Sequence, residues 1–338
     1  MLLKVTHLTD LRYDDLINES IMELRMVPRQ EADQHRLSFD LAIGPATTIN
    51  SYFDWLGNTV HTFSVNAFHQ QIRITATSVV ETDRPRKEVE RFRDLWPIAS
   101  NAYEYNVYDF LQFGGPIVDV PELHELIELI APREGTSLGE IALRMLHLID
   151  DKFIYKKGIT TSASPISHIL ESRAGVCQDF THLMLGIARA LKIPARYVSG
   201  LAHPASENFR GHTETHAWVE LLFPSAGWVG FDPTNRCVVD GRFIKVAVGR
   251  DFRDVPPNRG VYRGNASETI DVQVHSEELA SIPPELAAER LLSLEVPTYP
   301  PGYTGRREFI SRQESQQHQD SQYSRFIVGH QQQHQQQQ

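Results

Sequence analysis

Residues 172–200 read SRAGVCQDFTHLMLGIARALKIPARYVSG and decide much of the fold. The Arg-Ala-Gly turn comes first, because glycine accepts the backbone angles of a tight turn. Apolar residues then recur at helical spacing over residues 178–191, and Pro194 ends the helix because it lacks a backbone donor. Cys177 therefore stands at a helix N-terminus, where free amides and the helix dipole favour an anion such as a thiolate. Position alone fits a small buried core cysteine equally well.

Residues 215–235 read THAWVELLFPSAGWVGFDPTN and predict a β-hairpin. Two runs rich in Val, Leu, Phe and Trp flank a Pro-Ser-Ala-Gly turn. Pairing across that turn brings Asp232 within direct or diagonal cross-strand reach of His216. A thiol nucleophile needs an imidazole to take its proton and a carboxylate to orient the imidazole. The spacing supports a Cys177, His216 and Asp232 site without demanding it.

The motifs GVCQDF, THAWVE and WVGFDPTN, in this order, resemble the three core motifs of the transglutaminase-like superfamily, specifically its bacterial branch. The resemblance is dense over about residues 164–235 and looser over 246–257. It implies a papain-like fold and acyl-transfer chemistry through a thioester. Matched residue by residue, it implies Cys177 as nucleophile, His216 as base and later acid, and Asp232 as orienting carboxylate. Since all three are present, we expect a working enzyme rather than a degenerate binding fold.

The expected fold class is α+β: a papain-like, transglutaminase-like core whose cysteine-bearing helix packs on an antiparallel sheet, preceded by a small all-β sandwich domain. Residues 54–58, DWLGN, also resemble the N-terminal domain that often precedes the bacterial core. Alternating apolar residues and Gly-Pro and Gly-Asn turns support the β prediction. The strands are expected at residues 1–8, 20–27, 36–43, 59–65 and 71–80.

Composition, pattern and the family resemblance together divide the chain into four expected segments. They are a β-sandwich domain (1–83), a helical and aromatic connector (84–135), a transglutaminase-like catalytic domain (136–278) and a disordered Pro/Gln-rich tail (279–338). The connector should hold a charged helix at 87–95 and an aromatic cluster that lines a substrate groove or, by our preference, packs between domains. This cluster comprises Tyr103, Tyr105, Tyr108, Phe110 and Phe113.

Within the catalytic domain, the apolar spacing of residues 137–155 predicts a helix that packs on the Cys177 helix. Residues 166–171 predict a further helical turn. Strands at 242–248 and 269–274 should complete the sheet that carries His216 and Asp232, and residues 249–264 read as a loop beside the cleft.

Charge and cysteine content limit the partners and the compartment. A net charge of −10 and a pI near 5.8 argue against nucleic acid or an anionic membrane as main partner, since both reward clustered Lys and Arg. Two cysteines cannot form a disulfide framework, and Cys237 reads as a core thiol. Because no signal peptide or membrane span is apparent, we expect a cytoplasmic protein.

The histidines raise the possibility of a metal site. His212, Glu214 and His216 would share one face of a strand and could bind zinc. However, no compact ligand pair completes a four-ligand set, so we expect neither metal nor cofactor. His182, five residues beyond Cys177, is interpreted as an interior hydrogen-bonded histidine.

These observations predict thiol-dependent hydrolysis of an amide or peptide bond through a Cys177 thioester, with a peptide or protein amide as substrate. The alternatives are protein-glutamine transamidation and a non-catalytic transglutaminase-like interaction module. No EF-hand-type calcium loop is visible, so calcium-dependent crosslinking is not indicated. The substrate and the oligomeric state stay open.

Overall fold

The computed structural model describes residues 1–99, 105–206, 208–282 and 288–299, with the backbone alone of 105, 106 and 326–329. The strands in chain order are β1 (Leu2–Ile17), β2 (Glu19–Leu24), β3 (Gln34–Gly44), β4 (Ile49–Phe53), β5 (Thr59–Val65), β6 (His69–Thr82), β7 (Leu95–Trp96), β8 (Thr136–Ser137), β9 (Ile154–Tyr155), β10 (Ala174–Gly175), β11 (Ala195–Ala202), β12 (His216–Phe223), β13 (Gly227–Asp232), β14 (Cys237–Val238), β15 (Phe243–Gly249), β16 (Asn258–Arg263), β17 (Glu268–Glu278), β18 (Glu289–Ser293) and β19 (Phe326–Gly329). The α-helices are α1 (Pro121–Ile130), α2 (Leu138–Lys152), α3 (Ile166–Ser172) and α4 (Cys177–Ala190), and short 3₁₀ helices lie at Val89–Arg91, Tyr105–Leu111 and Phe252–Asp254.

The N-terminal part is an all-β sandwich, as predicted. One sheet has the strand order β17-β1-β6-β3-β18 and the other β19-β16-β2-β5-β4. Successive side chains of β1 alternate between buried and half-buried, because strand side chains point to opposite faces. Apolar side chains from both sheets, including Leu11, Leu24, Leu41 and Ile74, share one core cluster. Strand β4 was not predicted, since its sequence INSYF is mostly exposed and lacks an apolar alternation.

The part that carries Cys177, His216 and Asp232, which sequence analysis predicts to be the catalytic domain, is a five-stranded antiparallel sheet with α4 packed on it. Its strand order is β14-β13-β12-β11-β15, and α4 lies against β11 and β12. The remaining helices α1, α2 and α3 also contact α4. Because neighbours surround it, α4 buries its polar residues as well as its apolar ones. The predicted α+β core is thus confirmed, and α2 confirms the helix predicted at residues 137–155 except at its end, where residues 154 and 155 form β9. No helix of the described residues is long and apolar enough to span a membrane.

The charged helix predicted at 87–95 is wrong. The structure has only a 3₁₀ turn at Val89–Arg91, in which Val89 is the one buried residue. An isolated helix this short is unstable in water without an apolar face to bury. The helix of this region is instead α1, whose Leu123, Leu126 and Ile130 are buried.

Two strand expectations after the active-site motifs have opposite outcomes. Strand β15 confirms the prediction for 242–248, since it pairs with β11 at one edge of the catalytic sheet. The prediction that 269–274 completes this sheet is wrong: β17 pairs with β1 along eleven residue pairs, from Leu3↔Glu278 to Tyr13↔Glu268. The expected loop at 249–264 likewise contains β16, which pairs with β2. The segment assigned to the catalytic domain therefore ends in two strands of the sandwich sheets.

The expectation of a disordered tail is also wrong for part of its length. Strand β18 pairs in parallel with β3, from Glu289↔Phe39 to Ser293↔Ile43. All five of its side chains are exposed, so neither burial nor apolar alternation marks it in the sequence. The glutamine-rich end of the tail lies outside the described residues.

The free edge of β15 is closed by two amide side chains of the sandwich. Gln34 accepts the N–H of Lys245 and donates to its carbonyl, both at 2.8 Å. Asn58 makes the same pair of bonds with Val248, both at 2.9 Å. An irregularity in the β11–β15 register between these positions shifts which backbone groups face outward. Because buried edge groups need partners, these four bonds set how the sandwich docks.

A buried ion-pair chain reinforces this interface. The Lys245 ammonium lies 2.6 Å from carboxylate oxygens of both Glu31 and Glu220. Glu220 in turn pairs with Arg196 at 2.6 Å. Although burial opposes ionisation, the adjacent Arg196 and Lys245 charges lower the pKa of Glu220 to about 2. Glu31 of the sandwich thus pairs with Lys245 at the end of a chain of ion pairs that starts at Arg196 in the sheet β14-β13-β12-β11-β15.

Candidate active site

Cys177 is the first residue of α4, as the sequence predicts. The N–H of Val176, the residue before it, donates to Oδ2 of Asp179 at 2.9 Å. Thr160 Oγ1 donates to the same oxygen at 2.5 Å. Burial raises the pKa of Asp179 to about 6, although both hydrogen bonds oppose this. Asp179 therefore fixes the turn that presents the thiol.

His216 and Asp232 meet on neighbouring strands, as the hairpin predicts. In the observed register Val219 faces Phe231, so Asp232 is the diagonal cross-strand neighbour of His216. Nε2 of His216 lies 2.8 Å from Oδ2 of Asp232, and both side chains are fully buried. The hydrogen bond fixes the ring and leaves Nδ1 as the nitrogen available for the thiol.

The Asp232 carboxylate has further partners that hold it in place. Its Oδ1 accepts the N–H of Thr234 at 2.8 Å. Its Oδ2 also accepts from Nδ2 of Asn235 at 2.8 Å. These donors come from the DPTN turn that follows β13, so the same motif supplies the acid and the groups that orient it.

The charge state of His216 is set by its neighbours. Burial lowers the pKa of His216, but the Asp232 carboxylate and then Cys177 outweigh it and raise this pKa above its usual value. His216 Nδ1 is buried, and none of the residues that the structure describes offers it a hydrogen bond of good geometry. An imidazolium beside the thiol can stabilise a thiolate, and Nδ1 then carries the transferable proton.

Tyr155 is a fourth polar group at the site, and sequence reasoning missed it. Tyr155 on β9 is the strand partner of Gly175 on β10, and Gly175 lies two positions before Cys177. Burial, then the charges of Cys177 and Glu214, raise the pKa of its phenol far above the usual value. The hydroxyl therefore keeps its proton and can donate a hydrogen bond. The only sequence signal was its place at the end of the predicted helix 137–155.

The three residues considered for a metal site have separate partners. The strand β12 begins only at His216, so the predicted strand geometry for His212, Glu214 and His216 is wrong. His212 Nδ1 lies 2.6 Å from the carbonyl of Phe209, whereas Glu214 pairs with Lys157 at 3.0 Å. The three side chains are thus directed to different interactions.

Other residues singled out in the sequence are structural. His182 is interior, accepts the Phe252 N–H at 3.2 Å, and burial lowers its pKa to about 3. Cys237 is half-buried opposite Asp232, and burial raises its pKa to about 12. Both therefore differ from Cys177 and His216, which face each other.

The aromatic residues of the connector include packed and exposed side chains. Phe110 is buried, with its ring 5.3 Å from that of Trp228, and Phe113 packs against the main core. Tyr108 is largely exposed. Tyr103 lies outside the described residues, as does the side chain of Tyr105. Packing therefore accounts for the two phenylalanines.

Comparisons with known proteins agree with this architecture. A model of the bacterial transglutaminase-like N-terminal region matches residues 3–81. A model of the transglutaminase-like superfamily matches residues 128–233, which include Cys177, His216 and Asp232. The chain belongs to the transglutaminase-like superfamily. The resemblance of the three sequence motifs is confirmed, and the N-terminal match coincides with β1 to β6.

Relatives extend this membership over most of the chain. An uncharacterized protein of Mycobacterium leprae is 31% identical over 82% of this chain and 99% of its own length. One of Mycobacterium tuberculosis is 32% identical over 80% and 91%. A protein-glutamine gamma-glutamyltransferase of Pseudomonas aeruginosa is 37% identical over 35% of this chain and 19% of its own.

A solved structure supports the fold. A candidate cysteine protease from Cytophaga hutchinsonii superimposes with a TM-score of 0.66 and 23% identity. The match covers 84% of this chain and 93% of that one, so it includes the sandwich as well as the catalytic sheet.

Proposed function

We propose that this protein cleaves an amide or peptide bond of a peptide or protein through a Cys177 thioester. The observation that carries the proposal is the orientation of His216. Its Nε2 is bound to Asp232 at 2.8 Å, which leaves Nδ1 to act on Cys177, a neighbour that helps to raise the pKa of His216. A nucleophile, a base and an orienting carboxylate in that order form a catalytic triad.

The reaction would begin with attack of the Cys177 thiolate on the amide carbonyl carbon. A C–S bond forms and the carbonyl π electrons move to oxygen. When the tetrahedral intermediate collapses, the C–N bond breaks and His216 Nδ1–H protonates the departing nitrogen. Water, deprotonated by the now neutral His216, then attacks the thioester, releasing a carboxylic acid and restoring the thiolate–imidazolium pair.

Two donors are available for the oxyanion. The backbone N–H of Cys177 lies in the first turn of α4, where amides have no partner within the helix. We propose the Tyr155 hydroxyl as the second donor, because Tyr155 pairs with Gly175 and the charge of Cys177 contributes to its raised pKa. Both groups belong to rigid elements, so they are oriented before the substrate arrives.

Tyr155→Phe tests this second donor. Removing one oxyanion donor typically costs roughly 10²–10³-fold in kcat. We expect a loss of that order with KM little changed, because the donor acts on charge that develops in the transition state. Tyr108→Phe, at an exposed phenol, is the matched control. A Tyr155→Phe enzyme with unchanged kcat would assign the oxyanion to other donors.

Transamidation is the second candidate, since the triad is shielded from water. The exposed fraction is 3% for Cys177 and 1% for His216. The partial match to a protein-glutamine gamma-glutamyltransferase also favours acyl transfer to an amine. The two reactions share the thioester and differ only in whether water or an amine resolves it.

One assay distinguishes these candidates and tests the triad. The wild-type protein and the variants Cys177→Ala and Cys237→Ala are each incubated with a peptide-amide library, with and without a primary amine. The products are identified by mass spectrometry. Free acids identify hydrolysis, and amine adducts identify transamidation. Cys177→Ala should be inactive and Cys237→Ala active. Turnover by Cys177→Ala at the wild-type rate would refute the proposal, and a protein inactive in all arms but with intact fold would favour an interaction module.

A further inference from the structure

The triad is flanked by residues 208–213, which we call the cover segment. Cys177, His216 and Asp232 are 3%, 1% and 0% exposed. An attacked carbonyl must come within roughly 3–3.5 Å of the sulfur. A site this buried must therefore open before a peptide can enter it.

Three successive residues of the cover segment lie on the catalytic groups. The Phe209 ring is centred 6.2 Å from that of His216, and the Arg210 guanidinium lies 5.6 Å from the centre of the Tyr155 ring. Gly211 has φ +77°, and a Cβ built on it would lie 2.4 Å from Nδ1 of His216. Only glycine lets the backbone come this close to the catalytic nitrogen.

The chain before the cover segment and the last residue of the segment are both attached to β17 of the sandwich. His203 Nδ1 lies 2.9 Å from Oγ of Ser276. The N–H of Val274 donates to the carbonyl of Thr213 at 2.8 Å. Because these two points are fixed to a strand that pairs with β1, movement is expected in the centre of the segment, around Arg210.

At the centre, the Asn235 side chain makes the hydrogen bonds to the Arg210 backbone, while the buried Phe209 ring packs against Phe243. Asn235 Oδ1 accepts the Arg210 N–H at 2.8 Å, and its Nδ2 donates to the Arg210 carbonyl at 3.1 Å. The other hydrogen of Nδ2 binds Oδ2 of Asp232 at 2.8 Å. The Arg210 side chain adds a bond to the carbonyl of Thr234 at 3.2 Å. The carboxamide thus joins the cover segment to the carboxylate that orients His216.

We propose that Asn235 is a positioning residue that latches the cover segment over His216 while it orients Asp232. This proposal rests on the function proposed above. When the segment lifts, Asn235 Oδ1 and one N–H pass to water, whereas the bond to Asp232 persists. The acid therefore stays oriented while substrate enters, and closure restores the shielded site for chemistry.

The latch is tested by comparing two reagents of different size on the full-length chain carrying Cys237→Ala. Iodoacetamide and a polymer-linked maleimide modify Cys177, followed by intact mass. Changes in thiolate reactivity affect both rates, so the ratio of bulky to small labelling reports access. We expect Asn235→Ala to raise this ratio about tenfold, the effect of losing ordinary hydrogen bonds. The iodoacetamide rate itself should fall, because Asp232 loses a partner.

Asn208→Ala removes an exposed amide of the same segment and is the matched control, with an unchanged ratio expected. Gly211→Ala provides a second variant if Asn235→Ala does not fold, since its Cβ should displace the segment and also raise the ratio. An unchanged ratio in the variants that fold overturns the latch. The latch and the proposed function can fail separately. The labelling ratio measures access to Cys177 without any turnover, whereas the proposed function is refuted only if Cys177→Ala still turns over substrate.

Discussion

Buried polar groups are treated differently at the domain interface and at the active site. At the interface, Gln34 and Asn58 use both amide atoms on the backbone of β15, and Lys245 lies between two carboxylates. At the site, Nδ1 of His216 and Oδ1 of Asp179 have no hydrogen-bond partner among the described residues. An unpaired buried polar atom costs free energy, so the pairing at the interface stabilises the fold, whereas His216 Nδ1 keeps a position open for the thiol and the substrate.

The largest effect should come from Asp232→Asn. The amide keeps the volume but removes the charge that orients and stabilises the His216 imidazolium, so kcat/KM should fall roughly 10⁴-fold. The free energy of unfolding should fall as well, because a fully buried His216 loses its counter-charge, so activity is measured well below the unfolding transition. Asp240→Asn, at a half-buried carboxylate that pairs with Arg242, is the control. A variant with activity within tenfold of wild type would remove Asp232 from the triad.

Asn58→Ala should lower the stability of the fold and leave the activity nearly unchanged. This change strips the Val248 N–H and carbonyl of their partners in a buried interface, so the free energy of unfolding should fall on the order of 2–4 kcal/mol. Activity measured well below the unfolding transition should stay within a few-fold. Urea unfolding measures the change, with Asn50→Ala on the exposed strand β4 as control. Equal stability of the two variants would contradict the structural role of the paired amide.

A smaller, pH-dependent effect should distinguish Asp179→Asn. The folded pKa of Asp179, about 6, lies above its ordinary 3.8, so ionisation destabilises the fold. The wild-type free energy of unfolding should therefore fall as pH rises from about 4 through 6, by roughly 1–3 kcal/mol, and the variant should lack this fall. Urea unfolding at several pH values gives the difference. Parallel profiles would show that Asp179 is not destabilised by ionisation.

The sequence predicted features whose signals lie within one or two neighbouring elements. The start of α4 at Cys177 follows from a turn and a helical period, and the approach of His216 to Asp232 follows from one hairpin. The strand β17 was placed in the wrong sheet, because an alternating pattern shows that a strand has a buried face but not which strand it joins.

Parts of the site escaped prediction for the same reason. Tyr155 reaches the site because β9 pairs with β10, and each of these strands has only two residues. Asn235 lay within the quoted DPTN motif, yet its contact with Arg210 depends on how the cover segment folds back. Such contacts come from tertiary packing, which cannot be predicted from the local spacing of apolar residues.

The central claim, a working thiolate–imidazolium pair, is tested most directly by alkylation near pH 6 with limiting iodoacetamide. An ordinary thiol, with a pKa of about 8.5, is nearly unreactive there. Cys237, whose pKa burial raises to about 12, serves as an internal reference. The account predicts selective labelling of Cys177 in wild type that is lost in His216→Ala. Equally slow labelling of both cysteines in both proteins would contradict it.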